Sequence, residues 1–162
     1  MNYASLKETD IADGPGVRVA LYVSGCQLAL EGKACPGCHN FEAWDKNYGK
    51  EFTDETEKKI IQLLKPDYIS GFSLLGGEPL SSFNIDREIK LLKHIKEEYP
   101  SKDIWMWTGY IIYDWIKYHD TKILKYIDTV VDGPFDKDLF DPSLKFRGSS
   151  NQRIINVKDL KI

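Results

Sequence analysis

Ser24-Gly25-Cys26-Gln27-Leu28-Ala29-Leu30-Glu31-Gly32-Lys33-Ala34-Cys35-Pro36-Gly37-Cys38-His39-Asn40 follows directly on a β-like run, Val17 to Val23, and holds all three cysteines of the chain. Thiolates suit soft metals and iron–sulfur clusters. Three thiolates in one short loop can hold three irons of a cubane cluster, and with no fourth cysteine one iron stays open to a ligand. A structural zinc site instead closes four ligands around one ion, whereas reactive metal sites keep a position free. Buried cysteines scattered through a core would be ordinary. These three lie within 13 positions, and Cys35 and Cys38 form a Cys-x-x-Cys pair. Metal or cluster ligation is the reading that spacing favours.

The rest of the composition narrows the setting. At 162 residues the chain suits one domain, spanning 1–162, with enough length to bury a core without staples. Its 42% hydrophobic and 29% charged residues describe a soluble globular protein. A net charge of −3 argues against a nucleic-acid surface. No apolar run approaches a membrane span, and Met1 to Lys7 lacks a signal-peptide core. Clustered cysteines without a secretion signal point to a reducing compartment, so a cytoplasmic location is expected.

Outward from the loop, strand-like and helix-like runs alternate. Asp10 to Gly16 is a turn-rich entry, and Val17 to Val23 reads as a strand covered on both faces. Thr53, followed by Asp54, Glu55 and Glu57, marks a helix start that Pro66 ends. Tyr68 to Leu75 reads as a strand running into Gly76-Gly77-Glu78-Pro79. A helix from about Asn84 to Pro100 buries Ile85, Ile89, Leu92 and Ile95. Asp103 to Thr108 is a third strand. Short helical material follows to Tyr126, then a strand from Ile127 to Val131 ending in Asp132-Gly133-Pro134, and a weaker strand near Arg153 to Val157. No repeat, linker or low-complexity segment interrupts the pattern. Alternation of this kind predicts a parallel α/β sheet of four to five strands, forming an open partial (β/α) barrel. The cysteine loop, the Gly-Gly-Glu-Pro turn, Thr108-Gly109 and Asp132-Gly133 each follow a strand, so they should gather at the carboxyl edge, where such sheets bind ligands.

Taken in order, these strings resemble the radical S-adenosylmethionine superfamily. Within it they are most similar to the activating enzymes of anaerobic (class III) ribonucleotide reductases. The carriers are Gly14-Pro15-Gly16, Ser24-Gly25-Cys26, Pro36-Gly37-Cys38 with Asn40, Gly76-Gly77-Glu78-Pro79-Leu80, Lys102-Asp103-Ile104-Trp105, Trp107-Thr108-Gly109-Tyr110, Val131-Asp132-Gly133, Asp141-Pro142-Ser143-Leu144 and Arg147-Gly148-Ser149-Ser150-Asn151-Gln152. The resemblance covers most of the chain, from Met1 to about Arg153. The Gly-Gly-Glu-Pro turn alone is weak; the Trp-Thr-Gly-Tyr and Arg-Gly-Ser-Ser-Asn-Gln strings are far more specific. Three positions depart from the family pattern. Asp13 stands where Asn is frequent, a change between two good turn formers. Eight residues separate Cys26 from Cys35, five more than the usual three. That lengthening costs only about 0.7 kcal/mol of loop closure, so the insert is expected to bulge outward with ligation intact. His39 stands where the family usually has Tyr; it either ligates metal or simply fills the Tyr position, the second reading being favoured.

The resemblance implies a fold of the radical S-adenosylmethionine type and a site built on the three thiolates. Cys26, Cys35 and Cys38 would hold a 4Fe–4S cluster and carry the catalysis, with S-adenosyl-L-methionine on the open iron. Gly76 and Gly77 would let backbone approach the methionine moiety, Glu78 could accept from its ammonium group, and Gly37, Cys38 and His39 would border the adenine. The implied partners are the large subunit of an anaerobic ribonucleotide reductase, on which a glycyl radical is installed, and an electron donor of unspecified identity; no nucleic acid or membrane is implied. Another glycyl-radical enzyme or a small molecule is the alternative substrate within the superfamily. A zinc-binding interaction module with three Cys and one His ligand is the alternative outside it. Trp105 and Trp107 are expected in the core, leaving Thr108 and Gly109 as site members. Arg147, Ser149, Asn151 and Gln152 either dock a partner and cap the site or form a solvated loop, and Asp132 is either a site carboxylate or a turn former.

Overall fold

A computed structural model describes residues 1–162. The β-branched and aromatic runs form strands at nearly the expected positions: β1 (Asn2–Asp10), β2 (Val17–Val23), β3 (Lys50–Glu51), β4 (Ile69–Gly76), β5 (Asp103–Thr108), β6 (Thr129–Asp132) and β7 (Arg153–Asn156). Between them lie α1 (Gln27–Leu30), α2 (Asp54–Leu63), α3 (Ile85–Glu98) and α4 (Ile112–Trp115). All seven strands join one sheet in the order β3-β1-β2-β4-β5-β6-β7. The four central strands, β2, β4, β5 and β6, are parallel, as the alternating pattern predicted.

The expectation of four to five strands is too low. The structure adds β1, antiparallel to β2, and the two-residue β3, antiparallel to β1. The sequence Asn2-Tyr3-Ala4-Ser5-Leu6-Lys7-Glu8-Thr9-Asp10 is too polar to announce a strand by its own pattern. It becomes one because β2 offers it an open row of hydrogen-bonding groups. β7 pairs antiparallel with β6, so both flanks of the parallel centre are antiparallel.

Alternation along the strands sorts residues to two faces. Val19, Leu21, Val23, Phe72, Leu74, Ile104, Met106 and Val130 belong to one apolar core with Ile60 and Leu64 near α2, Leu91, Leu92 and Ile95 of α3, and Ile112 and Trp115 of α4. Residues of the opposite parity, including Arg18, Ala20, Tyr22, Ser73, Leu75, Trp105 and Trp107, face away from these helices. β2 is therefore covered by helices on one face only. Trp105 and Trp107 pack with tilted rings, 5.7 Å between centroids, and Phe146 packs edge-on against Trp105 at 5.4 Å. The segment carrying Phe146 thus roofs part of this second face.

Thr53 caps α2 as expected: its hydroxyl accepts from Thr56 N and its own N donates back to Thr56 Oγ1, both at 3.3 Å. The buried face of α3 is shifted from expectation. Glu88, Leu91, Leu92 and Ile95 are fully enclosed, whereas Ile85 and Ile89 are partly buried at the edge of the core. α3 packs against the 3-10 turn Lys122–Tyr126 and against α2. No helix is long and apolar enough to cross a membrane.

Candidate active site at the carboxyl edge of the sheet

The four turns after β2, β4, β5 and β6 do converge. One hollow is lined by Cys35, Cys38, His39 and Asn40 of the cysteine loop, by Leu75, Gly76 and Gly77, by Trp107, Thr108 and Gly109, and by Gly133, with Tyr22, Phe135 and Gln152 completing its wall. Cys35 and Cys38 are half-buried, whereas Cys26 is buried and, like the expected site residues Gly37 and Glu78, is not among the lining residues.

Backbone bonds tie the cysteine loop to the glycine turn. Gly77 N donates to Val23 O and Glu78 N to Gly25 O, both at 2.8 Å, while Gly25 N donates to Ala43 O at 2.7 Å. Gly76 adopts φ +122°, open to glycine, and a Cβ there would sit 2.2 Å from Val23 O. A Cβ on Gly77 would lie 2.4 Å from Gly25 O and 2.6 Å from Ala43 O. These glycines are thus required by the close packing of two loops, independently of any ligand. From below, Asn84 Nδ2 donates to Ser24 O at 2.9 Å. The five-residue insert does not simply bulge. Gln27–Leu30 winds as α1, Leu28 is buried, Gln27 N donates to Ser81 Oγ at 3.0 Å, and Ser82 N donates to Gln27 Oε1 at 3.1 Å. Only Leu30 to Lys33 projects.

Glu78 is enclosed, and its carboxylate accepts from Thr108 Oγ1 at 2.7 Å, Gly109 N at 2.8 Å and Leu80 N at 3.0 Å. It thereby clamps the turn after β4 to the end of β5. Burial outweighs these three donors and pushes its pKa up to about 7. Burial likewise pushes the Cys26 thiol up to about 11 and raises that of Cys35. A metal or cluster taking these sulfurs must displace their protons.

No three His, Cys, Asp or Glu side chains converge closely enough to hold a single ion. A closed zinc site needs four donors about 2.0–2.3 Å from one ion. His39 packs its ring on Phe135 at 5.0 Å and near Phe140 at 6.5 Å, the behaviour of a residue filling an aromatic position.

Asp132 is fully buried and does not line the hollow. Its carboxylate accepts from Arg153 Nε at 2.9 Å, Arg153 Nη2 at 2.6 Å and Ile112 N at 2.8 Å, fastening the end of β6. The Arg147–Gln152 string is a packed strap rather than a solvated loop. Gln152 Oε1 accepts from Gly148 N and Ser149 N, its Nε2 donates to Gly133 O at 3.1 Å, and Arg147 Nη1 donates to Gln152 O at 2.6 Å. Tyr22, Leu75, Trp107 and Phe135 were not singled out as site members from sequence. Trp107 was expected in the core, yet it lines the hollow because it lies opposite Met106 on β5. Shared parity on neighbouring strands, Tyr22 facing Leu75 in register, is the signal that could have found them.

Comparison with known proteins agrees with this geometry. The family described as a 4Fe–4S single cluster domain matches residues 12–155. The chain is 42% identical over 160 residues to the anaerobic ribonucleoside-triphosphate reductase-activating protein of Escherichia coli (strain K12), covering 98% of this chain and 100% of that one. It is 41% identical over 156 residues to the protein so named in Vibrio cholerae serotype O1, covering 95% and 97%. For that of Enterobacteria phage T4 the identity is 40% over 162 residues, covering 98% and 96%.

Proposed function

The chain belongs to the family of the anaerobic ribonucleoside-triphosphate reductase-activating proteins, and from that premise we propose that it is a radical S-adenosylmethionine activase for an anaerobic ribonucleotide reductase. In this reading residues 1–162 work as one radical S-adenosylmethionine domain in the cytoplasm, its sheet an open partial barrel around the hollow. Cys26, Cys35 and Cys38 hold a 4Fe–4S cluster. When bound, that cluster would supply the electron for reductive cleavage of S-adenosyl-L-methionine, the chemistry from which a glycyl radical on the reductase would derive.

The protein's own share is placement and exclusion of water. Gly76 and Gly77 present bare backbone beside Cys35 and Cys38, suited to the methionine moiety. Gly37, Cys38 and His39 offer an edge for the adenine, with the His39 ring braced by Phe135. The three donors to Glu78 hold the glycine turn against β5, and an ammonium group in the hollow would reach its carboxylate only if the Thr108–Gly109 turn gave way. The Tyr22, Leu75 and Trp107 side chains floor the hollow with apolar surface, which shelters a reactive radical from solvent.

One observation carries the reading: cysteines of a three-thiolate loop line the same hollow as the Gly76-Gly77 turn, in a chain 42% identical to a named reductase activator. The test is anaerobic reconstitution followed by iron and sulfide analysis, then dithionite with S-adenosyl-L-methionine and the reductase. The expected result is about four irons per chain, 5′-deoxyadenosine as product and a glycyl radical signal on the reductase. Zinc in place of iron, with no deoxyadenosine, would overturn it.

A further inference from the structure

Tyr22 stands between two hollows. Its side chain lines the candidate active site together with Cys35, Gly76 and Trp107. With Asn40 it also lines a second hollow, whose other members are Ala4, Ser5 and Lys7. The hydroxyl is engaged on that second side. Lys7 Nζ donates to it at 2.7 Å, and it donates in turn to Asp13 Oδ2. Neither Lys7 nor Asp13 lines the active-site hollow, so the phenolic O–H is directed out of it. The Lys7 ammonium at the hydroxyl end also lies 4.7 Å from the centroid of the Tyr22 ring.

The latch is itself anchored. Asp10 accepts from Lys7 Nζ at 3.1 Å, from Ala12 N at 3.0 Å and from Asp13 N at 2.7 Å. Ser73 Oγ donates to Asp13 O, and Arg18 Nε donates to Ser73 Oγ at 2.7 Å. Two polar turns and a fully buried arginine therefore fix the direction of one phenol. Burial, reinforced by the bond to Asp13, raises the Tyr22 pKa, so this O–H is retained.

A phenolic O–H is weaker than the C–H bonds of a primary alkyl group. A primary carbon radical in the hollow that met it would be quenched. The C5′–H bond would form, the tyrosine O–H bond would break, and one hydrogen atom would pass across. The deoxyadenosyl radical would be reduced to 5′-deoxyadenosine and Tyr22 oxidised to a tyrosyl radical, with no glycyl radical made. We propose that Lys7 and Asp13 are positioning residues that hold the Tyr22 hydroxyl outside the active-site hollow, and so keep radical formation coupled to the protein substrate. The inference rests on the activase reading and adds to it a device against self-quenching.

The test compares wild type with Lys7→Met, Asp13→Ala and the double variant Asp13→Ala/Tyr22→Phe. Each is reconstituted and reduced with dithionite in the presence of S-adenosyl-L-methionine and the reductase. The readout is 5′-deoxyadenosine formed per glycyl radical, with electron paramagnetic resonance on protein carrying ring-deuterated tyrosine. Release of the latch is expected to raise that ratio several-fold and to produce a radical signal that narrows on tyrosine deuteration. Adding Tyr22→Phe should return the ratio to the wild-type value and abolish the signal. On cluster-free protein carrying 3-fluorotyrosine, the Tyr22 fluorine resonance should shift in Lys7→Met. Lys7→Met lies at the surface end of the latch and keeps the test open if Asp13→Ala disturbs folding.

Unchanged coupling in both latch variants, or a loss of coupling that Tyr22→Phe does not cure, would overturn the inference while leaving the activase reading intact. A wild-type protein that fails to cleave S-adenosyl-L-methionine would remove the activase reading and the inference with it.

Discussion

Replacing Glu88 by leucine should make this protein more stable, and increasingly so as the pH rises. Glu88 sits on α3 with no solvent exposure, and both carboxylate oxygens lack a hydrogen-bond partner. Burial, with a smaller contribution from the Glu78 charge, holds its pKa well above the ordinary carboxylate value. An unpaired buried polar group costs about 1–3 kcal/mol, a penalty that an apolar side chain of similar volume does not carry. Glu88→Leu should therefore raise the unfolding free energy by about 1–3 kcal/mol, or about 2–4 °C in Tm for each kcal/mol.

The sign of the pH effect follows from proton counting. Above pH 4.5 the unfolded chain releases the Glu88 proton while the fold retains it, so the fold binds more protons and loses stability as the pH rises. The limiting slope is about 1.4 kcal/mol per pH unit, and this penalty is absent below pH 4.5. It vanishes in Glu88→Leu and in Glu88→Gln, which separates ionisation from packing. Urea unfolding of cluster-free protein at pH 5 and pH 8 measures both. A Glu88→Leu variant less stable than wild type at pH 8, or a stability gap that does not widen between the two pH values, would refute the reasoning.

Other outcomes follow from the same geometry. Cys35→Ala should prevent stable cluster assembly, read as iron and sulfide content; an unchanged content would show that the extended loop does not ligate. Gly77→Ala drives a Cβ to 2.4 Å from Gly25 O and should displace the cysteine loop, lowering S-adenosyl-L-methionine cleavage by about 100-fold, as misplacements of about 1 Å do. Arg18→Met removes a fully buried guanidinium that donates to Ser73 Oγ, Phe72 O and Asp103 Oδ1. Its cost should be about 2–3 kcal/mol in urea unfolding, below the usual figure for a broken buried pair because Asp103 is 38% exposed.

The cysteine loop, the four turns after strands and the parallel centre of the sheet were legible in the residues themselves. Each is written locally: strand formers, then glycines or cysteines, in a short run whose meaning does not depend on distant neighbours. The capped start of α2 at Thr53 was legible for the same reason. β1 and β3 were not, because a polar strand exists only where a partner supplies its hydrogen bonds.

Within the site the division falls in the same place. The sequence alone determined that Cys26, Cys35 and Cys38 share one loop after β2 and that Gly76 to Glu78 stands near it, since chain connectivity at a strand end leaves few alternatives. Only the tertiary structure decided which face of the sheet each strand shows to the hollow. A shift of one residue in parity exchanges Met106 for Trp107 and Leu21 for Tyr22, and local composition permits either. It also decided that Asp132 braces β6 through Arg153, that Glu78 clamps two turns together, and that the Tyr22 hydroxyl turns toward Lys7 and Asp13. Those outcomes depend on groups brought together from distant parts of the chain, whose hydrogen bonds must be satisfied once water is excluded.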